Sequence, residues 1–140
     1  MFEQDYIMRI ILQFGQIIRR SWSKAYKGDD PLGAAELIEN QVGEASEIDG
    51  NVLLSLAPES IAGVMQVSGT DPGIAEFIAR SLLLEAQYLR EGSEGQTANL
   101  REAQAYAIAE VFNIELSLEK ISEEEWEELF SRYEDDKKDS

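Results

Sequence analysis

Residues 72–112 read PGIAEFIARSLLLEAQYLREGSEGQTANLREAQAYAIAEVF, and their spacing decides the fold. In the first half, Ile74, Phe77, Ile78, Leu82, Leu84, Tyr88 and Leu89 recur at helical intervals and cover well over half of a helical circumference. A helix so broadly apolar needs neighbours on several sides, so the helix over 72–90 is expected at the centre of a bundle. Glu91-Gly92-Ser93 stops it, and a second helix runs from about Glu94 to Phe112. Ala98, Ala103, Ala105, Ala107 and Ala109 lie on two faces of that second helix and permit close helix–helix approach on both.

Working outward, the same periodicity recurs and no run alternates in the manner of a strand. A first helix spans roughly Glu3 to Ala25, with Ile7, Ile10, Ile11, Phe14, Ile17, Ile18 and Trp22 in one stripe. Met8 and Leu12 widen that stripe, while Arg9, Gln13, Gln16 and Arg20 share the opposite side. Asp30 and Pro31 are placed to cap and open a helix that ends near Ile48, before Asp49-Gly50. A short helical piece over Asn51–Leu56 and a helix from Pro58 to Val67 follow. Towards the end, Ser122 and Glu125 form a capping box, Ile121 and Trp126 a hydrophobic staple, and Trp126, Leu129, Phe130 and Tyr133 an apolar stripe. The expectation is an all-α, compact bundle of about six helices, one domain over 1–134, with a frayed charged tail over 135–140.

Two short resemblances accompany this reading. The helix pair joined near Gly92 loosely resembles a tetratricopeptide-type hairpin, without that motif's Trp and terminal Pro at the usual spacing. The segment Asp5-Tyr6-Ile7-Met8-Arg9 resembles the opening of a bacterial domain-of-unknown-function family of small helical proteins. The resemblance implies an all-helical fold with repeat-like helix pairs and carries over no catalytic residue.

Charge divides the chain. The first 27 residues hold five basic side chains against two acidic ones, a net +3, so the rest of the −16 chain carries −19. An acidic surface disfavours nucleic acid, which needs a large basic patch, and suits a basic protein or peptide partner. No stretch reaches the roughly 20 apolar residues of a membrane span, and no signal-peptide pattern opens the chain, so cytoplasmic residence is expected. Asp5 and Glu3 weigh against the first helix lying on an anionic membrane surface.

The candidate chemistry is sparse. The chain has neither Cys nor His, which removes thiol chemistry, the commonest general base and the commonest transition-metal ligand. No phosphate-cradling glycine loop or nucleophile elbow is present. The run Glu123, Glu124, Glu125, Glu127, Glu128 favours a helix dipole and lacks the loop of a calcium site. No metal or other cofactor is expected. Glu85 is the unusual ionisable residue, lying between Ile78, Leu82 and Leu89 on an apolar face. Such a carboxylate must be paired, hydrogen-bonded or protonated, with Arg9 or Arg101 as partner. Trp22, Tyr26, Trp126 and Tyr133 could line a peptide groove. Ile7, Ile11, Phe14, Ile18 and Trp22 could form a seam between two copies, if they are not needed inside one. The expected function is a non-enzymatic interaction or scaffolding module, self-association through the first helix included. The alternative is a small-ligand binder or enzyme built on Glu85.

Overall fold

Three prolines open three helices. A computed structural model describes residues 2–116 together with Glu127 and Ser131. It arranges them as α1 (Phe2–Tyr26), α2 (Pro31–Ser46), α3 (Gly50–Leu53), α4 (Pro58–Val67), α5 (Pro72–Glu91) and α6 (Gly95–Phe112). Pro31, Pro58 and Pro72 each occupy a first-turn position, where the missing N–H breaks no helical bond. The Asp30 carboxylate accepts from Gly33 N at 2.9 Å, and Asp71 from Gly73 N at 2.9 Å and Ile74 N at 3.2 Å. These bonds satisfy amides that a helix start otherwise leaves unpaired.

The short third helix corrects one expected boundary. Asp49 is a cap as well as a break: it accepts from Asn51 N at 2.9 Å and starts α3 at Gly50. Residues 54–56 then tighten into turns, with Ser55 N bonding Val52 O and Leu56 N bonding Leu53 O. α2 stops at Ser46 because Glu47 turns left-handed, with φ of 62°. Gly43 and Gly50 let the two backbones touch: a Cβ on Gly50 would sit 2.5 Å from Glu39 O, and one on Gly43 2.7 Å from Gly50 N. That contact fixes where α3 leaves α2.

α5 is central, as its breadth of apolar positions requires. It packs most extensively on α6, then on α2 and α1, while α6 also packs on α4. Phe77, Ile78, Leu82, Ala86 and Tyr88 are fully enclosed. α1 brings Ile10, Ile11, Phe14 and Ile18 into the same core, with Phe14 stacked on Phe77 at 5.9 Å between ring centroids. The seam expected between two copies is therefore corrected for Ile11, Phe14 and Ile18, which lie inside their own chain. Ile7 and Trp22 are half-buried against the same core. The reason is geometric: the broad stripe of α1 meets two neighbours at once, α2 and α5.

The capping box, the staple, the late aromatic stripe with Trp126 and Tyr133, the acidic run other than Glu127, and the tail over 135–140 lie outside the described residues. Glu127 itself accepts from Arg19 Nε at 2.7 Å and Nη2 at 3.0 Å. Among the described residues, no helix is long and apolar enough to cross a membrane.

Candidate functional site

Glu85 lies in the core, where the sequence put it, and its partner is Arg101. Glu85 has no exposed surface. Arg101, on the neighbouring α6, donates from Nε to Glu85 Oε2 at 2.8 Å. Its Nη1 donates to the Leu54 carbonyl at 2.9 Å and to Gln104 Oε1 at 3.2 Å, and its Nη2 to Glu39 Oε1 at 3.3 Å. The other expected partner, Arg9, is exposed and lies 5.5 Å from the centroid of the Tyr6 ring. That part of the expectation is corrected: Arg9 projects from the outer face of α1, away from α5.

One planar guanidinium therefore ties together α5, α2 and the segment after α3. Its fork of donors suits this better than the single ammonium of a lysine. Gln104 completes the junction, with Nε2 donating to the carbonyls of Leu54 and Leu56, each at 2.9 Å. Those carbonyls follow a four-residue helix and would be orphaned without these side chains. Gln104 and Glu39 were not singled out from the sequence. Gln104 could have been, since it lies one turn after Arg101, flanked by Ala98, Ala105 and Ile108 on a buried face. Glu39 could not, because its role depends on how α2 crosses α5.

The cluster carries two carboxylates for one guanidinium. Glu85 Oε1 is buried and accepts no hydrogen bond. Burial raises the Glu85 pKa well above its ordinary 4.5, and hydrogen bonding with Glu39 raises it further, against the attraction of Arg101. Protonated, Glu85 can donate to Glu39 while still accepting from Arg101. The pair of acids is the feature a carboxylate enzyme would use, yet a reacting group would have to reach a side chain with no exposed surface. What the arrangement does directly is brace three elements.

The sign of the pH effect follows from the raised value. A carboxyl group that binds its proton more tightly when folded adds stability that is complete below the unfolded pKa, near 4.5, and is lost as pH rises through the folded pKa. Glu85→Gln keeps an acceptor for Arg101 and a donor for Glu39 without the charge. Its stability relative to the parent chain is expected to increase with pH above 4.5, by up to about 1.4 kcal/mol per pH unit, and then level off. Urea midpoints of both chains across that range check this, and a difference independent of pH rejects it.

A second buried polar pair links α1 to α5. Ser21 Oγ donates to the Ile18 carbonyl at 2.8 Å, so the Tyr88 hydroxyl, 2.9 Å away, donates to Ser21. Burial raises the Tyr88 pKa. Outward from Tyr88 stand Tyr26, edge-on at 6.1 Å, and Trp22, at 4.7 Å from Tyr26. Of the expected groove aromatics these two are described. Tyr26 is 42% exposed, and its hydroxyl donates to Glu91 at 3.0 Å. Among the described residues, no group of three or more acids is placed to hold a metal ion.

Comparison with family models, curated proteins and solved structures found no match.

Proposed function

We propose that the chain is a non-catalytic helical module that works by binding a protein, with the outer face of the α1–α2 hairpin as its working surface. The observation that carries this reading is a contrast in how cations are used. Residues 28–116 contain three arginines against sixteen carboxylates, and each arginine is paired: Arg80 with Glu76, Arg90 with Glu102, Arg101 with Glu85. On α1 and its turn, Arg9, Arg20 and Lys27 are exposed and form no ion pair with a described residue. Unpaired cations beside an acidic body favour a charged partner and steer its approach. The packing of α1 on α2 and of α5 on α6 supports a scaffold of tetratricopeptide-like character. The bracing role of Glu85 supports it against an enzyme built on that residue.

The test is affinity purification of the tagged chain from native lysate, beside an Arg9→Glu/Arg20→Glu variant of unchanged thermal stability. The parent chain is expected to retain a protein in near-stoichiometric amount, an untagged copy of itself included, and the variant to lose it. Identical profiles from the two chains would overturn the reading.

A further inference from the structure

The exposed faces of α1 and α2 carry opposite charges side by side. On α1, Arg9, Gln16 and Arg20 are exposed and separated by seven and four residues, with Lys27 exposed seven residues on in the turn that follows. At about 100° per residue they fall within an arc of about 40°. That arc lies opposite the buried Ile11, Phe14 and Ile18. On α2, Glu36, Asn40 and Glu44 are exposed at every fourth position, with Glu47 at the C-cap. These lie opposite the buried Ala34, Ile38 and Ala45. Neither stripe includes a described residue of the other sign, apart from Asp5 at the start of α1.

The two helices form an antiparallel hairpin whose register is pinned at both ends. Tyr6 Oη donates to Glu47 at 3.0 Å, and Lys24 pairs with Asp30 at 3.4 Å. Climbing α1 is therefore descending α2. Arg9 stands level with Glu44, and Arg20 within about one turn of Glu36, by the rise of ~1.5 Å per residue.

Such a surface complements itself. A two-fold axis running along the hairpin lays α1 of one copy over α2 of the other and keeps each level matched. A two-fold axis across the hairpin would lay α1 on α1 and α2 on α2, and like charge opposes it. We infer that the α1–α2 face pairs with the same face of a second copy, with Arg9 against Glu44 and Arg20 against Glu36 in both directions. This assignment rests on the reading of the chain as a protein-binding module, and names its own copy as the partner. It also moves self-association from the apolar stripe of α1, which the core occupies, to the charged stripe on the other side. Exposed ion pairs are individually weak and salt-screened over ~8 Å at physiological ionic strength, so the contact is expected to be modest and charge-specific.

The test uses the full chain and two variants at exposed positions. One, Arg9→Glu/Arg20→Glu, is acidic on both stripes. The other, Glu36→Lys/Glu44→Lys, is basic on both. Circular dichroism verifies that each folds, and sedimentation velocity at low ionic strength gives the masses. The parent chain is expected at twice its 15.7 kDa, each variant alone at 15.7 kDa, and their equimolar mixture again at twice that mass. Three results overturn the pairing: a parent chain monomeric at all concentrations, variants that remain dimeric alone, or a mixture that stays monomeric. A monomeric parent that still retains a different protein in the lysate experiment rejects the pairing alone. A monomeric parent that retains nothing rejects both readings.

Discussion

Arg101→Ala is expected to lower the free energy of unfolding by about 3–5 kcal/mol, the range for removing one member of a buried ion pair. The substitution takes the neighbour from Glu85, which has no exposed surface, and a donor from the Leu54 carbonyl. Protonation of Glu85 limits the damage, and Gln104 still donates to Leu54 and Leu56. Neither replaces the link from α6 to Glu39 on α2. A double variant separates loss of the link from loss of the charge balance. In Glu85→Leu/Arg101→Met both charges go and most of the volume stays, so most of the lost stability is expected to return. Glu39 tolerates the change because its side chain is 22% exposed and can be hydrated. Urea unfolding of the parent, single and double variants measures all of this. A loss below about 1 kcal/mol for Arg101→Ala would mean that the junction does not brace the fold.

This junction also marks how far the sequence could be read. Glu85 stands out because a period of 3.6 puts it among Ile78, Leu82 and Leu89, and burial of an acid demands a partner. The helices opened by Pro31, Pro58 and Pro72 were legible because proline and aspartate act within one turn. The cap at Asp49 was half-legible: Asp49-Gly50 reads as a break, and only the geometry shows that the break also starts α3. Glu39 and the carbonyls of Leu54 and Leu56 were not legible. Glu39 and the Leu54 carbonyl meet Arg101 from 62 and 47 residues away in sequence, the Leu56 carbonyl meets Gln104 from 48, and those meetings depend on tertiary packing. The pairing of stripes on α1 and α2 is of the same kind. Each stripe is periodic in the sequence, but their register comes from Tyr6 with Glu47 and Lys24 with Asp30.

The second large effect concerns α1, whose basic charge sets it apart from the body. Phe14→Ala is expected to cost about 3–5 kcal/mol, as for other fully buried aromatic truncations. Phe14 has no exposed surface, stacks on Phe77 of the central helix and sits between Ile10, Ile11 and Ile18 in the shared core. The lost ring leaves a cavity that α5 cannot fill, because its own side chains are held from the other side by α6. Phe14→Leu, which keeps much of the volume, is expected to cost distinctly less. At the exposed positions of the same helix the outcome reverses: Arg20→Ala is expected to change stability by no more than about 0.5 kcal/mol. The contrast between Phe14 and Arg20 on one helix separates a structural element from an appendage. If Phe14→Ala left the denaturation midpoint unchanged, α1 would not belong to the core, and its apolar stripe would again be free for a partner. If it destabilises the chain as expected, the face that α1 offers to other molecules is the charged one.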